Sequence, residues 1–242
     1  MEIIRSLENS KIKNWSKLKQ KKYRDKYKLF IVQERHLIEE AIKAGCIDTL
    51  IVKEKVENIF EMDCVYVSDA VMRKLSVNVS LNDYIAVCRM LDYKVNDYKK
   101  AIILEKVQDP GNVGTIIRTA YSFGYDVVFL TVDSCDLYNE KTIQASQGAF
   151  FHLPVIRDSF DNILSNVRKK GCRVIATDLD NSNYLSKSKK TDRLAIMLGN
   201  EGQGLSEKAL LAADERVKIE MENFESLNVA IAAAIVMYYY KC

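Results

Sequence analysis

Two prolines, two histidines and one tryptophan are all that this chain of 242 residues holds of those three types. Its six cysteines, Cys46, Cys64, Cys88, Cys135, Cys172 and Cys242, form no C-x-x-C pair. With so few imidazoles and no paired thiols, no metal site is expected. The thiols read instead as small buried apolar side chains of a reduced, cytoplasmic protein. Long hydrophobic runs are missing too. The longest, "VAIAAAIVMYYY" at 229–240, falls short of the roughly 20 residues that span a bilayer. The beginning of the chain shows no apolar stretch followed by a small-residue cleavage site, so neither a membrane protein nor a secreted one is expected. Glycine is scarce where it first counts. Residues 1–100 hold only Gly45 and no proline, and the other eight glycines and both prolines fall between Pro110 and Gly204. Special backbone geometry is therefore concentrated in the second part of the chain.

What is present is unevenly charged. The net charge is +3, yet residues 11–28, "KIKNWSKLKQKKYRDKYK", carry +8 and leave the remainder at −5. Trp15, Tyr23 and Tyr27 lie among the lysines. A basic stretch interleaved with aromatics suits a polyanion whose bases can stack, above all RNA. Lys17, Lys19, Lys21, Lys22 and Arg24 are the candidate RNA contacts; the alternative is an ordinary solvated helix face.

Alternating helical and strand periodicities run through the whole chain. The polar stretch "DYKVNDYK" at 92–99 reads as a linker and divides it into residues 1–96 and 97–242. The first part predicts a basic helix over about 10–22, then strands and helices in a small α/β domain. The second is more regular, with nearly all-apolar strands alternating with helices. That pattern predicts a parallel sheet covered on both faces, whose ligands collect beyond the carboxyl ends of the strands. Its segment "FHLPVI" reads as a strand and its last helix is placed from Ser226.

Four clusters in this second part carry chemistry. "QDPGNVGTIIRTA" turns from strand to helix, with Asn112 at the expected N-cap and Arg118 further along. "ASQGAFFHLP" allows close backbone approach at Gly148, and its His152, flanked by apolar residues, reads as structural. "LGNEGQGLS" resembles a phosphate loop only superficially. It lacks the Lys-Ser/Thr pair of a Walker loop, its glycine order is G-x-x-G-x-G, and Glu201 would repel phosphate. "IEMENFESLNVAIAAAIVMYYY" puts Glu225, Ser226 and Asn228 at the mouth of a helix apolar on nearly every face. Such a helix is deeply buried or lies in a subunit interface.

Together, N-x-G-x-x-x-R, G-N-E-G-x-G-L and E-S-L-N-V-A, in this order, resemble the three motifs of the SpoU (TrmH-type) RNA ribose 2′-O-methyltransferases of the SPOUT superfamily. The likeness covers roughly residues 100–242. Residues 8–90 are similar, more loosely, to the RNA substrate-binding domain that precedes the methyltransferase in many members. The resemblance implies an α/β fold with a deep trefoil knot in the carboxyl-terminal domain, a homodimer, and S-adenosyl-L-methionine as cofactor. It implies Thr177, Leu198, Gly199, Gly202, Ile219 and Leu227 as donor-binding residues, and Asn112, Arg118, Glu201, Ser226 and Asn228 as the catalytic set. The implied acceptor is a ribose 2′-hydroxyl of RNA, with 23S ribosomal RNA expected ahead of transfer RNA. A guanidinium stays protonated at ordinary pH, so Arg118 is expected to grip a phosphate and lower the hydroxyl's pKa electrostatically. The chain departs from the family pattern at Glu220, which stands where I-P-M is usual. It departs again at Glu34, which stands where a glycine often follows the first-domain strand, and in an ending, "YYYKC", without the usual carboxylate. The readings from other classes are a catalytically silent RNA-binding protein and, more distantly, a dinucleotide oxidoreductase.

Overall fold

A computed structural model describes residues 3–77, 82–223 and 226–241. Glu225 and Cys242 lie outside the described residues. The chain forms two compact units, one running to Asp92 and including Tyr138–Gln144, the other comprising Tyr93–Leu137 and the residues from Ala145 onward.

The first unit runs β1 (Ile3–Ile4), α1 (Ser10–Lys17), α2 (Lys21–Tyr27), β2 (Leu29–Gln33), α3 (Arg35–Lys43), β3 (Ile47–Lys53), β4 (Cys64–Val67), α4 (Asp69–Leu75) and β5 (Tyr84–Arg89). Its sheet has the order β1-β4-β3-β5-β2 and is mixed, with β5 antiparallel to both β2 and β3. The basic stretch is two helices rather than one. The break at 18–20 is held by Arg24, which is buried and donates from Nη1 to the carbonyls of Leu18 (2.8 Å) and Lys19 (2.9 Å). This corrects the expectation that Arg24 faces RNA. A guanidinium satisfying backbone carbonyls inside the fold has little left for a phosphate. Trp15 is likewise taken into the core with Ile12, Leu18 and Met72, so it is no stacking surface. Glu34 sits at φ 75 before α3, in the left-handed region that glycine adopts without strain. That is a physical reason for a glycine to be common there.

The second unit contains β6 (Lys100–Leu104), α5 (Pro110–Ser122), β7 (Val127–Thr131), α6 (Glu140–Ser146, which begins in the first unit), β8 (Val155–Asp158), α7 (Phe160–Lys169) and β9 (Arg173–Thr177). Then follow β10 (Asn183–Tyr184), β11 (Leu194–Leu198), α8 (Glu207–Leu211), β12 (Glu215–Lys218) and α9 (Val229–Tyr239). The sheet order is β10-β12-β9-β11-β6-β7-β8, and every pairing is parallel. Its core joins Ile103, Phe129, Val174, Ala195 and Met197 from the strands to Ile163 and Val167 of α7 and Ala209 of α8. The expected strand "FHLPVI" is instead a 3-10 turn at Ala149–Phe151 followed by β8. Gly148, at φ 92, bends the chain so that its carbonyl accepts from the Phe151 amide.

The strand order decides where a site can form. The chain leaves β6 toward β7 and β8, then crosses back so that β11 lies on the other side of β6. Loops after β6 and β11 therefore stand side by side at the carboxyl ends of neighbouring parallel strands. That is the switch point at which open α/β sheets bind ligands.

Candidate active site

The loop after β6 leads into α5 through Asp109, whose Oδ1 accepts from the Asn112 amide at 2.8 Å. Asp109, not Asn112, is the N-cap, and Pro110 occupies the first helical turn, where its missing N–H costs nothing. Asn112 is thereby freed from capping. Its side-chain amide donates to Glu201 Oε1 at 3.1 Å, and its Oδ1 accepts from Asn228 Nδ2 at 3.0 Å. Glu201 also accepts from the backbone amides of Asp109 (3.0 Å) and Gln108 (3.2 Å). Asn228 in turn caps α9, its Oδ1 accepting from Ala230 and Ile231 N–H. The helix starts at Val229, with Asn228 rather than Ser226 as its cap. One relay, Glu201–Asn112–Asn228, thus joins the three sequence motifs.

Partial burial works to raise the carboxyl of Glu201. The hydrogen bonds from Asn112 and from the Asp109 and Gln108 amides outweigh it and hold the group below the usual carboxylate range. It is an anion at neutral pH.

Asn200 shapes the glycine loop after β11. Its Oδ1 accepts from the amides of Gly202 (2.9 Å) and Gln203 (3.1 Å), its Nδ2 donates to the Lys106 carbonyl at 3.0 Å, and its backbone pairs with Gly204. The turn closes so tightly that a Cβ on Gly199 would lie 2.2 Å from the Gly204 carbonyl carbon and 2.3 Å from the Leu205 nitrogen. Only glycine fits there. Below the turn, the buried Glu105 accepts from Ser206 N–H (2.8 Å) and Oγ–H (2.6 Å).

Beside this relay opens a cavity of about 520 Å³. Thr177, Leu198, Gly199, Gly202, Ile219 and Leu227 all line it, with Glu201 and Ser226. Thr177 Oγ1 is fixed by donating to the Met197 carbonyl at 3.1 Å. Asp178, Asp180 and Met221 also line the cavity; sequence reasoning missed them. The signal for the two aspartates was the polar run directly after the apolar strand that ends in Thr177.

Arg118 is not brought to this cavity. It is exposed on α5, and among the described residues its guanidinium has no hydrogen-bond or ion-pair partner. It lies six positions after Asn112, which places the two about 120° apart around a helix. Of the lysines in the first unit, Lys19 donates to the Ser76 carbonyl at 2.7 Å and Lys21 pairs with Asp25 at 2.5 Å. Lys17 and Lys22 flank the ring of Tyr23, at 5.6 and 4.8 Å from its centroid.

Comparison with known proteins accords with this geometry. Residues 99–238 match the SpoU rRNA Methylase family, and residues 9–86 match an MRM3-like substrate binding domain. The chain is 33% identical, over the full length of both, to the 23S rRNA (guanosine(2553)-2′-O)-methyltransferase RlmP of Bacillus subtilis (strain 168). Among solved structures it resembles an rRNA methyltransferase from Sinorhizobium meliloti, with TM-score 0.88, 26% identity and coverage of 99% of this chain and 97% of that one. An RNA 2′-O ribose methyltransferase matches with TM-score 0.83 and 28% identity over 99% and 98% of the two chains. A family match across more than half of the chain and full-length identity of this size make it a member of the SpoU rRNA methylase family.

Proposed function

We propose that this protein transfers a methyl group from S-adenosyl-L-methionine to a ribose 2′-hydroxyl of 23S ribosomal RNA in the cytoplasm. The observation that carries this reading is the Glu201–Asn112–Asn228 relay set against a cavity at the carboxyl ends of β9, β11 and β12. The residues present suit the donor. The volume lies within the roughly 300–1,000 Å³ of small-molecule sites, and backbone is exposed where an adenosine can approach. The acidic groups Asp178, Asp180 and Glu201 favour a cation over a phosphate-bearing cofactor. Thr177, Leu198, Gly199, Gly202, Ile219 and Leu227 would hold it. When bound, it supplies an electrophilic methyl group on a sulfonium sulfur.

The chain's own residues supply alignment and electrostatics. Glu201 fixes the side-chain amide of Asn112, Asn112 fixes Asn228, and Asn228 fixes the start of α9, so Ser226 is presented at the cavity rim by a braced segment. Arg118 grips the phosphate next to the target ribose and stabilises the alkoxide that develops as the hydroxyl releases its proton to solvent and attacks. Since Arg118 stands apart from its own chain's relay, the working unit is a homodimer in which a second copy brings an arginine to the site. The exposed apolar stripe of α9 (Ile231, Ile235 and Tyr238) supports this pairing. Residues 97–242 form the methyltransferase domain, with the family's trefoil threading, and residues 1–96 hold the RNA. There Lys17, Lys22 and Tyr23 offer charge and a stacking surface.

The deciding measurement is incorporation of tritiated methyl groups into 23S rRNA, 16S rRNA and tRNA, with the product mapped by its resistance to alkaline cleavage. Methylation of 23S rRNA at a ribose is expected. Methylation of tRNA alone would overturn the substrate, and no incorporation into any RNA would overturn the activity.

A further inference from the structure

After Lys218, which pairs with Tyr184 of β10, the described residues between β12 and α9 join no strand. Ile219 and Met221 nevertheless both line the cavity. Along an extended chain, alternate side chains face opposite ways. Glu220, between these two, is turned out of the cavity. Its Oε1 accepts from the Ser186 amide at 3.2 Å and from the Ser186 hydroxyl.

Ser186 belongs to a 3-10 turn at Leu185–Lys187 that is itself pinned from behind. Tyr239 OH donates to the Ser188 carbonyl at 2.6 Å, and Tyr240 OH to Ser188 Oγ at 2.5 Å. Ser188 Oγ in turn donates to Glu215 at the start of β12 (2.6 Å). Glu220 therefore ties a wall segment that lacks a ladder to a turn held by α9 and β12.

We propose that Glu220 is a positioning residue for the donor cavity. Its clamp on Ser186 holds Ile219 and Met221 as a preformed wall, and so governs affinity for S-adenosyl-L-methionine rather than the rate of transfer. This rests on reading the cavity as the donor site. Proline, usual at this position in the family pattern, stiffens extended backbone by restricting φ. Glu220 reaches the same end with a charge-assisted pair of hydrogen bonds. The Ser186 hydrogen bond also holds its carboxyl below the usual range, so the clamp stays ionised at neutral pH.

Calorimetric titration of S-adenosyl-L-methionine into full-length protein tests this, alongside kcat at saturating donor and Tm. Glu220→Ala is expected to raise Kd about tenfold, the scale of one lost charged hydrogen bond, with kcat within twofold and Tm unchanged. Ser186→Ala is expected to raise Kd about threefold, and the double variant to bind no worse than Glu220→Ala alone, since both remove one interaction. Should Glu220→Ala fail to fold, Glu220→Gln and Ser186→Ala carry the same comparison. Wild-type affinity in Glu220→Ala, additive losses in the double variant, or a fall in kcat at unchanged Kd would overturn the clamp. The cavity reading fails separately, if Leu227→Trp binds the donor as wild type does.

Discussion

At the scale of single residues, the site divides into groups held in place and one that is not. Glu201 receives three hydrogen bonds and carries its charge in a partly buried position. Replacing it with glutamine turns one of the two accepting oxygens into a donor, and so leaves either the Gln108 amide or the Asp109 and Asn112 donors without their acceptor. A cost of about 1–3 kcal/mol is expected, read as a fall in kcat of about ten- to a hundredfold. The pH dependence follows from the direction of its shift. A carboxylate whose folded pKa lies below its unfolded value, about 4.3, contributes stability that is complete above that value. The contribution is lost as pH falls through the folded pKa. The wild-type rate should therefore show no limb from Glu201 between about pH 5 and 9, and a pH–rate profile checks this. Arg118 has no partner among the described residues, so its removal costs little stability. Arg118→Ala should lose about 10²–10³ in kcat, the scale of one transition-state donor, at unchanged Tm. Arg118→Lys should recover only a small part, because an ammonium lacks the planar fork. Near-normal turnover in the lysine variant would remove the phosphate-gripping role.

At the scale of elements, much was legible from local pattern because local pattern has local causes. The strand "LFIVQ", the helix after Ser206 and the left-handed stop at Gly45 depend on periodicity, an N-cap oxygen and the missing Cβ of glycine. All act within a few residues. The errors fall where two local solutions compete. Asp109 and Asn112 are both good caps, and the choice goes to Asp109 because Asn112 is drawn into the relay with Glu201 and Asn228. At the other end, Asn228 takes the cap that Ser226 was expected to hold, because its two side-chain atoms serve both roles: Oδ1 accepts from the Ala230 and Ile231 amides while Nδ2 donates to Asn112. The turn after β11 was recognisable by its glycines, but its tightness was not. Gly199→Ala forces a Cβ against the Gly204–Leu205 backbone. It should cost about 1–3 kcal/mol by overpacking and abolish donor binding, as thermal melting and calorimetry would show. On α9, Ile235→Asp places a charge in the exposed apolar stripe. It should give a monomer by light scattering, with activity lost while the fold by circular dichroism is kept.

At the scale of the whole molecule, the chain couples an amino-terminal unit that carries the basic stretch at 11–28 to a unit that carries the cavity. Lys17→Ala, Lys22→Ala and Tyr23→Ala together should raise KM for RNA and leave donor affinity unchanged. They should also reduce the slope of log K against log salt by about 2, one for each lysine that releases a counterion. An unchanged slope would place the RNA surface elsewhere. Composition, the glycine and proline distribution, the alternation of elements and the three motifs were determined by the sequence alone. Each depends on neighbours in the chain or on residue identity. Tertiary structure decided which of those residues meet. It took Trp15 and Arg24 from the basic stretch into the core, because an apolar ring and two open carbonyls are better served inside than at the surface. It also joined Glu201 to Asn112 and Asn112 to Asn228 across 89 and 116 residues. No local signal spans such distances; the placing of β11 beside β6 and of α9 against α5 does.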